Sequence, residues 1–547
     1  MVDTRQNPSA ASVPGESPER PSMVWDAWGV PSGHAPLPER IRTLLAQVFG
    51  VSGEPVARRA ENAVPLRPSA LSAASLAALT AVVGADHVST EQRDRLLHAG
   101  GKSTPDLLRR RAEGTQDAPD AVVLPADHDQ VRAVLAACAD HGVAVVPFGG
   151  GTSVVGGLDP ARGRFDAVIA LDLRRLDTVA DIDPVSGTAT LGAGLTGPQA
   201  EKLLAAHGLS LGHFPQSFEF ASIGGFAATR SSGQASAGYG RFDDMIQRLR
   251  IATPGGTLDL GRAPASAAGP DLRELFAGSE GTLGVITEVT LRVHPIPETV
   301  AYQAWSFPDF ATGAAALRTV VQAGAAPTVL RLSDEAETGL NLARSGDIGG
   351  AAVTGCLAVT TVEGTAAHVA ARGAEAAELL AAAGGTALGE KPAREWEHGR
   401  FAAPYLRDAL IDVGILCETL ETATTWANLA NLKAKVTAAL TDSLTAQGTP
   451  ALVMGHISHT YPTGASLYFT VVAKQLDDPI TQWRHAKRAA GDAIVAAGGT
   501  ITHHHAVGAD HRAWMTDEIG ELGVRVLRAV KQAVDPVGIL NPGKLIP

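Results

Sequence analysis

Apolar and polar positions along this chain follow two periods, and the chain changes character where the period changes. Residues 1–22, MVDTRQNPSAASVPGESPERPS, show no apolar periodicity and are rich in Pro, Ser and Glu, which predicts a disordered tail. Trp25 and Trp28 in MVWDAWGVP follow as two anchors. From Pro38 to about Leu107 apolar residues recur at helical spacing, and ERIRTLLAQVFG reads as an amphipathic helix ending at Gly50. From Asp120 the texture shifts. DAVVLPAD is a short strand, HDQVRAVLAACADHG a helix closed by Gly142, and VAVVPFGGG a buried strand running into glycines. Strands, short helices and Gly turns continue to GVITEVTLRVHP at 284–295. A second mixed block carries helices near 364–384 and 423–447. The last stretch holds THHHAVG, a helix ELGVRVLRAVKQAV stopped by Pro536, and a turn at Asn541, Pro542 and Gly543.

The pattern predicts a tail over 1–22, a helical N-terminal region over 23–116, an α+β domain over 117–297, a second mixed domain over 298–500 and a C-terminal segment over 501–547. At 547 residues the chain exceeds one hydrophobic core. The net charge of −12 argues against nucleic acid or an anionic surface as the main partner. Cys138, Cys356 and Cys417 are far apart and show no metal or disulfide spacing. There is no run of about 18 apolar residues and no signal pattern, and Ala and Gly abound. The expectation is a bacterial, cytoplasmic protein.

PFGGGTSVVGG follows a strand. Gly149, Gly150 and Gly151 let backbone N–H groups converge on one point, and Thr152 and Ser153 add hydroxyls, so the loop suits a pyrophosphate. It is not a Walker loop, since Gly157 and Leu158 follow Gly156, nor a Rossmann fingerprint, since residue 154 is Val154. GAGLTG at 192–197 does match G-x-G-x-x-G, but no strand ending in an acid follows; it reads as a strand-to-helix turn with Pro198 in the first helical turn. Two further stretches, PQSFEFASIGGFAATRSSGQASAGYG and GSEGTLGVITEVTL, are dense in small residues that let backbone lie close to a flat ligand.

In this order, PFGGGTS, P-x-S…GG and GSEGTLGVITEVTLRVHP resemble the flavin-binding domain of the vanillyl-alcohol oxidase/p-cresol methylhydroxylase (PCMH-type) superfamily. The resemblance implies an α+β fold: an FAD-binding domain of two α+β subdomains, a cap domain with an antiparallel sheet and helices, a helical N-terminal region, and a C-terminal segment, DPVGILNPGK, that returns to the FAD domain. It places FAD against Pro147, Gly149, Gly150, Gly151, Thr152 and Ser153 of the first stretch; Pro215, Ser217, Gly224, Gly225, Thr229, Ser231, Ser232 and Gly233 of the second; and Glu280, Gly281, Thr282, Gly284, Val285 and Ile286 of the third.

Within the superfamily the chain is most similar to the alkyldihydroxyacetonephosphate synthase family, through VWDAWGVP, GHFPQSFEFASIGGFAATRSSG, VLRLSDEAE, YLRDALIDVGILCETLETATTW, HTYPTGASLYFTV and GGTITHHHAVGADHRAWM. That family exchanges the acyl group of acyl-dihydroxyacetone phosphate for a long-chain alcohol through a flavin adduct, in ether lipid synthesis. The resemblance gives Arg407 the substrate phosphate, Tyr468 a proton-transfer role at the reacting carbon and His504 the role of base, with His503 and His505 flanking it. Adjacent residues of an extended loop point in different directions, so one of the three imidazoles is expected to face the flavin ring. The implied partner is a phosphorylated, lipid-like small molecule, with peripheral membrane contact and a homodimer allowed.

Related flavin enzymes carry a metal held by Gly-His…His and Glu-His-Gly. Here Gly455 and His456 remain, but Tyr468 and HHHAVG replace the rest, so no metal is expected, although His456, His459 and His503 form a nitrogen-rich group. VPFGGGTSV lacks a histidine, so FAD is expected to be non-covalent. His141, His207 and His213 read as exposed. The alternative function is an FAD-linked oxidase or dehydrogenase of a 2-hydroxy acid or alcohol.

Overall fold

The computed structural model describes residues 20–51, 54–340, 348 and 354–547. The tail expected over 1–22 lies outside the described residues up to position 19. From residue 20 onward the chain is placed, and the Arg20 guanidinium donates to the Gly149 carbonyl at 2.5 Å.

Two sheets build the first α+β unit. One has the order β1 (Val88–Ser89), β2 (Ala121–Val123), β4 (Ala167–Asp172), β3 (Val143–Phe148), the last three parallel. The N-terminal region thus supplies an edge strand to it. The crossover helix His128–His141 starts on the Asp127 side chain, which accepts from the Gln130 N–H, and ends at Gly142 with φ +64°. The other sheet is antiparallel: β5 (Val179–Asp183), β6 (Thr188–Gly192), β10 (Val285–Arg292), β8 (Ile246–Thr253), β9 (Gly256–Leu260). A short ribbon, β7 (Leu209–Ser210) and β11 (His294–Pro295), lies beside it. At 192–197, Thr196 caps the helix Gly197–Ala205, and a Cβ at Gly192 or Gly194 would collide with the carbonyls of Leu176 and Leu173. Those glycines serve backbone packing.

The second unit is a seven-stranded antiparallel sheet, in the order β15 (Thr386–Gly389), β12 (Thr299–Phe307), β14 (Cys356–Gly364), β13 (Val329–Ser333), β17 (Leu452–Ile457), β18 (Gly464–Lys474), β16 (Ile415–Thr425). One face buries Leu332, Leu420, Leu467 and Phe469 together with apolar residues of the helices Phe310–Gln322, Ala366–Ala382, Leu429–Ala446 and Pro479–Ala496. The helix expected near 423–447 therefore starts later, because the β-branched residues up to Thr425 complete β16. The final segment returns to the first unit: the Asn541 N–H donates to the Val145 carbonyl at 2.8 Å, and its Nδ2 donates to the carbonyls of Gly157 and Glu280.

His213, expected to be exposed, is buried between Phe226 and Phe242 with Nε2 3.0 Å from Ser231 Oγ, and burial pulls its pKa down to about 3. The three cysteines are free and buried. Among the described residues no helix is long and apolar enough to cross a membrane.

Candidate active site

A cavity of about 530 Å³ opens between the two units. Its floor comprises the three glycine-rich stretches. Of the twenty residues expected around FAD, all but Gly233 and Thr282 line it. The Thr282 hydroxyl turns away to the Ser279 carbonyl, and the Gly233 carbonyl accepts from His459 Nε2 at 3.0 Å. The donor set suits a dinucleotide. Ser232 Oγ and Gln216 Nε2 are buried on the wall without a protein partner among the described residues. A Cβ on Gly225 would meet only Ser222 Oγ, at 3.2 Å, so the wall is left open there.

An N-terminal strap closes one side. Lys102 Nζ, fully buried, donates to the carbonyls of Val24 at 2.5 Å and Ala27 at 2.7 Å; Arg110 reaches the Trp25 carbonyl and Arg111 that of Asp26. Trp28 lines the cavity edge-on to Phe220. The Trp28 backbone N–H donates to Asp408 Oδ2 at 2.5 Å, and Asp408 Oδ1 accepts from Arg407 Nε and Nη2 at 3.1 and 2.9 Å. Arg407 Nη1 donates to the Lys102 carbonyl at 2.6 Å. The guanidinium is thus locked in plane on the cavity wall, at the junction with the strap.

The sheet supplies the rest through its register. Ser333 lies opposite His456, His456 opposite Tyr468, and Tyr468 opposite Glu421, one row across β13, β17, β18 and β16. Residues directly opposite in an antiparallel pair share a face, and this row faces the cavity side. The His456 ring stacks on Tyr468 at 4.8 Å, and His456 Nδ1 sits 2.7 Å from Glu337, whose carboxylate also accepts from Arg331 and Ser333. Burial, with Glu418 and Glu421 nearby, pushes the Tyr468 phenol up to about 12, so it keeps its proton near neutrality.

Glu421 holds the histidine loop. Its carboxylate accepts from the Thr502 hydroxyl at 2.5 Å and from the backbone N–H groups of His503, His504 and His505 at 2.6, 3.2 and 2.8 Å. Burial opposes its charge, yet the Thr502 hydrogen bond and the surrounding N–H donors hold the carboxyl below its usual range. Two imidazoles, His504 and His505, line the cavity where one was expected; His503 turns to Tyr461. Burial lowers all three, His505 to about 3, so they stand neutral.

His459, His503 and His504 bring nitrogens within 4.8 Å of one another. His459 already gives Nε2 to the Gly233 carbonyl and turns Nδ1 to the Ser458 hydroxyl at 2.9 Å, and His503 has both nitrogens engaged by side chains. His456 of the other nitrogen-rich grouping is held by Glu337.

Residues 119–260 match the family model "FAD binding domain", and residues 296–545 match "FAD linked oxidases, C-terminal domain". An alkyldihydroxyacetonephosphate synthase of Dictyostelium discoideum is 35% identical over 84% of this chain and 79% of its own length. The chain belongs to the alkyldihydroxyacetonephosphate synthase family. A solved alkyldihydroxyacetonephosphate synthase superposes with a TM-score of 0.80 at 30% identity, covering 95% of this chain and 98% of that one. p-Cresol methylhydroxylase with substrate bound shares the fold, with a TM-score of 0.69 at 16% identity over 87% of this chain and 98% of that one. The protein is therefore an FAD-dependent enzyme with the PCMH-type fold.

Glu421, Glu337, Arg331 and Lys102 are absent from the residues singled out in the sequence, where His456 figured only in a nitrogen-rich group. The nearest signal is CETLET at 417–422, where buried-strand alternation is broken by two carboxylates that a strand interior would hold only with partners.

Proposed function

We propose that this enzyme exchanges the acyl group of an acyl-dihydroxyacetone phosphate for a long-chain alcohol, releasing a fatty acid and forming an alkyl ether. The observation that carries the reading is the continuity of one cavity. The phosphate loop, Tyr468, His504 and Arg407 all line it, together with an apolar group of Pro38, Ile41, Leu406, Leu410, Met454 and Val472. A substrate with a reacting carbon, a phosphate and a hydrocarbon chain has parts to match.

Arg407 is assigned the phosphate. Asp408 and the Lys102 carbonyl preset its planar fork, which suits paired phosphate oxygens. Tyr468, protonated near neutrality, meets the substrate as a hydrogen-bond donor. His504 is assigned proton transfer at the reacting carbon, with His505 beside it on the wall and His503 behind it. Bound FAD supplies the ring chemistry of the displacement and is proposed to be non-covalent, the loop 147–153 having no histidine. Overall the bond between the dihydroxyacetone carbon and the acyloxy oxygen breaks, the fatty acid leaves with both of its oxygens, and the alcohol oxygen bonds to that carbon as its O–H gives up its proton, with no net oxidation.

A cytoplasmic enzyme in ether lipid synthesis, working at a membrane surface, completes the proposal. Helix Glu39–Phe49 lines the cavity through Ile41, and Val48 near its C-terminal end is 57% exposed. The test is anaerobic incubation of the yellow protein with a palmitoylated dihydroxyacetone phosphate and hexadecanol. Release of palmitate with the ether as product supports transfer. Bleaching by a 2-hydroxy acid with release of the oxo acid, and no palmitate, would support the oxidoreductase reading instead.

A further inference from the structure

Tyr461, on the turn between β17 and β18, takes no part in the reaction as proposed above, yet its hydroxyl reaches into the histidine loop. It lies 2.6 Å from His503 Nε2, and His503 Nδ1 lies 3.0 Å from His504 Nδ1. The Arg241 guanidinium stands near the Tyr461 hydroxyl and donates to the His503 carbonyl at 3.2 Å. These four side chains form one continuous line that ends at the cavity wall.

The direction of that line follows from which groups can donate. Tyr461 has one proton, and His503 is the hydrogen-bond partner found for its hydroxyl among the described residues. Its O–H therefore donates to His503 Nε2. A neutral imidazole that accepts on one nitrogen carries its proton on the other. His503 thus donates from Nδ1 to His504 Nδ1, and His504 keeps its own proton on Nε2.

We propose that Tyr461 is a positioning residue that sets, through His503, which nitrogen of His504 carries the proton, so that His504 meets the substrate as an Nε2–H donor. The substrate in this statement rests on the function proposed above; the resting tautomer does not. The opposite arrangement would leave the Tyr461 O–H without an acceptor in a mostly buried site. The other groups facing this pair among the described residues, His459, Tyr468 and His505, approach through ring contacts and hydrogen-bond neither imidazole. Burial keeps His503 and His504 neutral, as the relay requires.

Nitrogen-15 NMR of the FAD-loaded full chain, labelled at histidine, reads the tautomer without substrate; the His504 signals are assigned by their loss in His504→Gln. The expected result is a protonated Nε2 and an unprotonated Nδ1 on His504 in the wild type. In Tyr461→Phe the two tautomers should mix while FAD stays bound. A protonated Nδ1 in the wild type would overturn the proposal, and this measurement needs no Tyr461 variant to fold. In kinetics, Tyr461→Phe should slow turnover about ten-fold alone and add no loss to His504→Ala. Equal losses in both backgrounds would show that Tyr461 acts elsewhere. If the tautomer is as assigned but no ether forms, the proposed reaction fails and the tautomer assignment stands.

Discussion

Glu421 sits directly across from Tyr468 on the neighbouring strand, and its carboxylate gathers three consecutive backbone N–H groups of the histidine loop. One strand register thus aligns the phenol and the imidazoles on the same cavity. Glu421→Ala should leave four donors unpaired in a buried site, each costing about 1–3 kcal/mol before relaxation. The expected outcome is a lowered melting temperature and fast amide exchange over 502–506, with turnover lost. A melting temperature and exchange pattern matching the wild type would contradict this role.

Two glycines separate cofactor binding from folding. A Cβ at Gly150 would collide with the Phe220 carbonyl and the Ala221 backbone, so Gly150→Val should cost stability as well as flavin. Gly225 faces the cavity with only Ser222 Oγ nearby. Gly225→Val should purify colourless with the melting temperature of the apoprotein. A yellow Gly225→Val protein would mean that FAD avoids this wall.

Glu280 supplies a pH signature. Burial pushes its carboxyl from 4.5 up to about 7, against the N–H groups of Val507 and Gly508 and the charge of Lys544. The folded state holds this proton more tightly than the unfolded state. Its contribution to stability is therefore complete below 4.5 and lost as pH rises through about 7. Between pH 5 and 8 the wild type should lose stability relative to Glu280→Gln, by on the order of 3 kcal/mol. Parallel stability curves for the two proteins would refute the assignment.

Substitutions at the reacting end should split by role. His504→Ala should keep FAD, whose phosphate loop lies elsewhere, while turnover falls about 100- to 10,000-fold. Arg407→Lys keeps a charge but loses the fork, so KM for the phosphorylated substrate should rise about ten-fold or more with little change in melting. Arg407→Ala should also cost stability, because Asp408 would stay buried without its cation. Steady-state kinetics with flavin content and melting curves separates these outcomes; an unchanged KM in both Arg407 variants would remove that residue from phosphate binding.

The glycine loops were legible in the sequence because their signal is local. Runs such as GGGTS and GSEGTLG state a backbone requirement within a few residues, and the same holds for the helix bounded by Asp127 and Gly142. The partners that aim the site were not legible. Glu421 meets His503–His505 across roughly eighty positions of chain, and Lys102 meets the strap only after folding. Single carboxylates in strands such as CETLET look like solvated positions until register places donors around them. The expectation of one imidazole at the ring assumed an extended loop. Glu421 instead curls the loop by collecting successive N–H groups, which puts two rings on the wall and turns the third to Tyr461.

The central claim is transfer of an intact alcohol without net redox, and isotopic labelling tests it most directly. Hexadecanol carrying oxygen-18 is incubated anaerobically with the FAD-loaded protein and a palmitoylated dihydroxyacetone phosphate, and the products are weighed by mass spectrometry while the flavin spectrum is followed. The account predicts the heavy oxygen in the ether product, unlabelled palmitate in equal amount, and oxidised flavin at the end of turnover. Label found in a palmitate ester, or flavin left reduced with no ether formed, would contradict it.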